Sequence, residues 1–253
     1  MSGHRLIRRP AASALLLLAV TLAAGCDLPA EDSGDDAKPG GGSTTTGPTA
    51  TAAPGSALQA AEGLTAKGRA PKTGYDRDRF GSPWADTDSN GCPTRDDILR
   101  RDLTDTATRD DCEVSEGTLA KDPYSGQRVV FERGGPSEVD IDHIVALSDA
   151  WQKGAHRWPA AKRIAFANDP LNLLAVGASP NRSKGDGDAA TWLPPKAFRC
   201  TYVARQVAVK KKYELWATKA EKQAITRVLG GCPDERLPGG GNPTKAPARF
   251  SAD

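Results

Sequence analysis

The chain has 253 residues, 38% of them hydrophobic and 26% charged, and none of its 14 aromatic side chains precedes Tyr75. The first 74 residues therefore cannot enclose a core of their own, while the remainder suffices for one folded unit; no apolar run reaches the ~18 residues of a membrane span. A formal charge of +2 hides a split: residues 71–149 carry 10 Lys and Arg against 18 Asp and Glu, and residues 150–253 carry 18 against 8. Such a split suits a cation-holding site beside an anion-holding surface, with a merely solvated surface as the alternative.

In chain order, Arg5, Arg8 and Arg9 precede an apolar stretch at 11–22 and the small residues Ala23-Ala24-Gly25 before Cys26. This pattern predicts a signal peptide over 1–25. Its end resembles a bacterial lipoprotein signal, which implies lipidation of Cys26, although Leu22 stands one place too far upstream; ordinary cleavage is the alternative. Residues 26–56, rich in Gly, Ser, Thr, Pro and Asp, read as a flexible tether. The expected location is outside the cell, either lipid-anchored to the outer face of the membrane or secreted, with the anchor as the sole membrane contact. Residues 57–235 should fold, with a core at about 128–195, and 236–253 should form a flexible tail.

Within the folded part, a short helix is expected from Ala57. Thr94 and Asp97 suggest a capping box opening a helix through Leu103. Segments 118–120 and 128–131 flank Asp122-Pro123-Tyr124-Ser125-Gly126 as a hairpin. A strand is expected over 139–144, helices over 146–154 and 159–166, a strand over 171–176, and helices over 203–216 and 218–229 with basic outer faces. The class is α+β. Four cysteines follow Cys26, an even number that favours two disulfides in an exported chain. Three pairings are open; Cys92–Cys112 and Cys200–Cys232 are favoured because each closes a short loop around a predicted helix.

Chemistry concentrates in Glu138-Val139-Asp140-Ile141-Asp142-His143-Ile144. Of three histidines, His4 lies in the signal and His156 in a polar stretch, so His143 is the candidate base; a structural buried His is the alternative. Asn172 interrupts an apolar strand, and Asn181 opens Asn181-Arg182-Ser183-Lys184-Gly185-Asp186. The order Asp142-His143, Asn172, Asn181 resembles the HNH (His-Me finger) nucleases, and 140–147, 168–176 and 181–195 look most like the C-terminal domain of GmrSD-type restriction enzymes. The chain also looks like a group of exported actinobacterial HNH-family proteins, through Gly74-Tyr75, Asp88-x-Asn90-Gly91-Cys92 and Lys184-Gly185-Asp186.

The resemblance implies a ββα-metal core with additional helices and a β-hairpin. It implies His143 as general base, at an ordinary pKa near 6.5, and Asp142 and Asn181 as ligands of one divalent cation. Asn172 would position the loop that carries His143. Relatives often have His at the final ligand position; the Asn here makes an all-oxygen set, which favours Mg²⁺, then Mn²⁺ or Ca²⁺. Asp140 could support a ligand, be a third one, or form a structural ion pair. Lys184 and Arg182 could touch phosphate or simply be solvated. The run Lys210-Lys211-Lys212, with Arg205, Lys219, Lys222 and Arg227, offers either sequence-independent phosphate contacts or a solvated face. The implied function is metal-dependent hydrolysis of nucleic acid, DNA ahead of RNA, with low sequence specificity, by a monomer without a protein partner. The alternative is a non-catalytic, nuclease-like binder of polyanions or envelope partners.

Overall fold

A computed structural model describes residues 52–136 and 138–252. The expected signal peptide, Cys26 and nearly all of the tether lie outside the described residues. Helices and small sheets alternate in a mixed α+β arrangement. The elements are α1 (Ala57–Glu62), α2 (Thr94–Asp102), β1 (Thr104–Thr108), β2 (Val114–Leu119), β3 (Val129–Glu132), β4 (Val139–His143), α3 (Leu147–Gln152), α4 (Ala160–Ala167), β5 (Leu173–Gly177), α5 (Ala178–Lys184), α6 (Arg199–Tyr213) and α7 (Lys219–Gly230). No helix among the described residues is long and apolar enough to cross a membrane.

Strands β1, β2 and β3 form one antiparallel sheet in that order, and β4 pairs with β5 in a second. Strand β1, Thr-Asp-Thr-Ala-Thr, is exposed along its whole length and carries no alternation that would have announced it. Strand β5 is the opposite case. All five of its residues are buried, because Leu173 and Ala175 pack with Ile98, Phe131 and Ile141, while Leu174 and Val176 pack with Tyr124, Tyr202 and Val207. A strand covered on both sides reads as a continuous apolar run.

Three local expectations differ from the structure. Helix α2 is preceded by Pro93 without a side-chain cap, because the Thr94 hydroxyl donates instead to the Ala85 carbonyl. The capping box occurs at α7, where the Thr218 side chain and Glu221 bond each other's backbone. The C-terminal segment is not a free tail. Ala246 is buried and its N–H donates to Ala161, and Asn242 donates from its backbone to Asp169 and from its side chain to Thr87. At the other end, Ser56 is buried and caps α1, so the fold begins before Ala57. The disulfides are Cys92–Cys112 and Cys200–Cys232, with Cα separations of 5.2 and 6.4 Å.

A buried charge network joins the helices. Lys153, at the C-terminal end of α3, lies 2.6 Å from Asp149, 2.8 Å from Asp188 and 2.6 Å from Glu221. Arg69 closes one end on Asp149 and Asp188, at 2.7 and 2.6 Å. Lys210 on α6 closes the other, 2.8 Å from Glu221 Oε1 in an ion pair too oblique for a hydrogen bond. Three cations and three carboxylates balance, which is what makes their burial tolerable. Internal pairing, in this network and outside it, overturns part of the basic-surface expectation. Lys210 is internal, Lys212 pairs with Asp169, Lys222 donates to the Glu62 and Leu64 carbonyls, and Arg205 donates to Pro170, Leu171 and Leu173. Lys211, Lys219 and Arg227 remain exposed.

Candidate active site

The β4–β5 ladder is the frame of the site. Neighbouring side chains on a strand point to opposite faces, and the register pairs Asp140 with Val176, Asp142 with Leu174 and His143 with Leu173. Asp140 and Asp142 accordingly meet α5 and Tyr124, whereas His143 meets the end of α4.

The His143 Nε2 lies 2.8 Å from the carbonyl of Ala167, the last residue of α4. That carbonyl has no partner within its own helix and can only accept, so Nε2 carries the hydrogen. In the neutral ring Nδ1 is then the acceptor. Burial pushes the pKa of His143 down to about 3; the hydrogen bond to Ala167 opposes this, and the charges of Arg77 and Lys184 add to it. The ordinary value near 6.5 expected from sequence is thus corrected: desolvation disfavours the imidazolium.

Asn172, fully buried, ties down the residues after His143. Its Oδ1 accepts from the Val145 N–H at 2.9 Å, its Nδ2 donates to the Val145 carbonyl at 3.3 Å, and its own carbonyl accepts from the Ile144 N–H at 2.8 Å. Asn172 stands in the turn just before β5, not within the expected strand, and its buried side chain is satisfied by backbone alone.

Asp142 is buried between two donors. The Tyr124 hydroxyl donates to Oδ2 at 2.6 Å, and Lys184 Nζ donates to Oδ1 at 3.0 Å and to the His143 carbonyl at 3.0 Å. Burial raises the Asp142 carboxyl above the ordinary range, with Lys184 and Tyr124 pulling against it. Lys184 is therefore not available to a phosphate as expected. Its side chain has 0% exposure and its charge is already matched.

Helix α5 begins at Ala178, so Pro180 falls in the first turn, where a missing N–H leaves no intrahelical bond unmade. From this helix Asn181 Nδ2 donates to Asp140 Oδ2 at 3.0 Å, which turns its Oδ1 away from the pair. Arg182 is exposed on the same helix.

Tyr124 was missed in the sequence because its surroundings read only as a turn. Asp122 Oδ1 accepts from the Gly177 N–H at 3.0 Å, docking that turn on the β5–α5 junction. A side chain at 177 would come within 2.7 Å of Asp122, so the close approach requires glycine.

No group of three or more His, Cys, Asp or Glu side chains among the described residues is disposed to hold a metal ion. Asp140, Asp142 and Asn181 are two carboxylates and an amide, an oxygen-only set that suits a hard cation in kind. Asp142 takes side-chain donors at two of its roughly four acceptor positions and so keeps capacity for a further partner. Lys184 competes with a cation for its charge.

The profile of the C-terminal domain of GmrSD restriction endonucleases matches residues 93–228. The chain belongs to this family. The GmrSD-type match runs from the start of α2 into α7 and so contains Tyr124, Asp142, His143, Asn172 and Asn181; the segment before residue 93 lies outside it. A protein of Arthroderma benhamiae named "uncharacterized secreted protein" is 40% identical over 173 residues, 67% of this chain and 81% of its own length. No solved structure matches the chain.

Proposed function

We propose that the protein is an exported, metal-dependent HNH endonuclease that hydrolyses phosphodiester bonds of DNA with low sequence specificity, with His143 as the general base. The observation that carries this reading is the pinning of His143 Nε2 to Ala167, which fixes the ring and leaves Nδ1 as an acceptor. Family membership supports nucleic acid as the substrate class. The signal-like N-terminus and the secreted relative support export, and Cys26 is the proposed site of a lipid anchor.

In this reading β4, β5 and α5 form the ββα unit that the family resemblance implies. A water hydrogen-bonded to His143 Nδ1 gives up its proton there as its oxygen bonds to phosphorus. The bond from phosphorus to the 3′ oxygen breaks, and that oxygen takes a proton from solvent. Asn172 acts through His143, holding the following backbone so that the ring keeps its place. A divalent cation, Mg²⁺ first, held by Asp142 and Asn181 with Asp140 beside them, would stabilise negative charge on phosphate and leaving group.

The test is plasmid nicking by the purified chain with Mg²⁺, Mn²⁺, Ca²⁺ or EDTA. His143→Ala is expected to lose roughly 10²–10⁴ of the rate while remaining folded. A folded His143→Ala as active as the wild type would exclude His143 as the base. The Lys184–Asp142 ion pair favours a second reading, a polyanion binder that does not hydrolyse, because it already neutralises the carboxylate assigned to the metal. Salt-sensitive retention of plasmid without nicking under any metal would select it.

A further inference from the structure

A narrow cleft opens beside His143, walled by the turn at 77–84 and by the end of α4. Arg77, Phe80, Trp84, Leu147 and Asn168 line it together with the imidazole. Arg77 is exposed, and its guanidinium has neither a hydrogen bond nor an ion pair among the described residues. It is near enough for its charge to act on the imidazole. The other cation that does so, Lys184, is buried and committed to Asp142. The oxygen donors of Asp140 and Asp142 are met from the α5 side of β4.

A phosphodiester that reaches His143 through the cleft therefore meets one open cation there, and it is a guanidinium. Its planar fork suits two phosphate oxygens at once, its charge persists at any physiological pH, and it has no protein partner to give up on binding. The wall is also held in an uncommon conformation. Trp84 has φ of 61°, the left-handed region that an aromatic residue rarely adopts, and Arg95 lies 5.8 Å from its ring. Such outliers persist where the surrounding structure fixes them and cluster at ligand clamps. Asp78, on the same turn, also lines the cleft and limits how much anionic charge it can take.

We propose that Arg77, supplied from outside the segment that matches the family, grips the phosphate whose phosphorus is attacked at His143. This rests on the nuclease reading for its catalytic half only; the phosphate grip itself is a binding claim. In the test, Arg77→Ala and Arg77→Lys in the full chain are compared with wild type in two measurements. One is the nicking rate. The other is anisotropy of a short fluorescein-labelled DNA in EDTA across a KCl series. Arg77→Ala should lose roughly tenfold to a hundredfold in kcat/KM, as expected for a hydrogen-bonded charge. Its salt slope should flatten by about 0.9, the share of one phosphate contact. Arg77→Lys should recover part of the rate and the full slope, and melting temperatures should coincide because the Arg77 guanidinium makes no hydrogen bond or ion pair among the described residues.

Cleavage by wild type with an unchanged rate and slope in Arg77→Ala would overturn the assignment and leave the nuclease reading standing. DNA binding with an Arg77-dependent slope but no cleavage under any metal would remove the nuclease reading and keep the phosphate grip. Neither binding nor cleavage of DNA by wild type would remove both.

Discussion

Two places in this molecule bury charge, and they do so differently. Around Lys153, three cations and three carboxylates from the segment before α2, α3, the loop after α5, α6 and α7 close on one another. At Asp142, one carboxylate meets one ammonium and one phenol, and its neighbour His143 is buried neutral, with one nitrogen tied to a carbonyl. The first cluster has its charges matched internally, although Lys210 Nζ and Glu221 Oε1 make no hydrogen bond. The second leaves an imidazole nitrogen, an amide oxygen and carboxylate lone pairs able to take a partner. The difference teaches that burial of charge alone does not distinguish a structural cluster from a candidate site; the second cluster differs in having a neutral imidazole with an open nitrogen beside a cleft.

The largest effect that would sharpen this contrast is expected for Lys153→Met. It leaves Asp149, Asp188 and Glu221 around an apolar stem and should cost about 3–5 kcal/mol, the usual range for a broken buried pair. Urea denaturation would measure it. Lys184→Met should cost less, about 2 kcal/mol, because the Tyr124 hydroxyl still donates to Asp142 and that carboxyl can protonate. Equal losses in the two variants would erase the distinction between the clusters.

Asn172→Ala comes next. It strands the N–H and carbonyl of Val145, which should cost about 1–3 kcal/mol, and it should lower the nicking rate with His143 intact. Retention of full activity by a destabilised Asn172→Ala would limit Asn172 to a structural role.

The pH dependence of stability tests the network from both ends. Burial alone would raise the Asp188 carboxyl, but the charge and hydrogen bond of Lys153 bring it below the ordinary range. Its contribution is therefore present above the unfolded value of about 3.9 and lost as pH falls through the folded value. Burial alone would lower Lys153, but Asp149, Glu221 and Asp188 raise it. That contribution is present below the unfolded value of about 10.4 and lost as pH rises through the folded one. Buried neutral His143, with a folded value of about 3 against an unfolded value of about 6.5, adds a loss that begins below about pH 6.5. Denaturation midpoints should therefore fall below about pH 6.5 and above the Lys153 limit, and Lys153→Met should lose the alkaline limb. The smallest effect is expected for Lys211→Ala on the exposed face of α6: within about 0.5 kcal/mol of wild type in stability, with a slight flattening of the salt dependence of DNA binding.

Several features were legible in the sequence because their signals are local. Alternation over 139–143 marked β4, the apolar run around Asn172 marked β5, and the turn residues at 122–126 marked the hairpin of β2 and β3. Strand β1 was not legible, since a fully exposed Thr-rich edge strand lacks a hydrophobic period. The cysteine count and loop lengths favoured the two disulfide pairs that the structure contains. The motif residues Asp142, His143, Asn172 and Asn181 stood out by type and order.

What those residues touch was decided only by the tertiary structure. Lys184 and Lys210 look like surface cations in a linear reading, yet both are buried against carboxylates that their own helices do not supply. Tyr124, Ala167 and Arg77 reach the site from a turn, a helix end and the segment before α2, far apart in the chain. Sequence alone singled out the groups that could carry acid–base chemistry, because that depends on residue type and local spacing. Which of them are desolvated, paired or open depends on long-range packing, and packing sets the proton affinity of His143 and leaves Arg77 unpaired beside it.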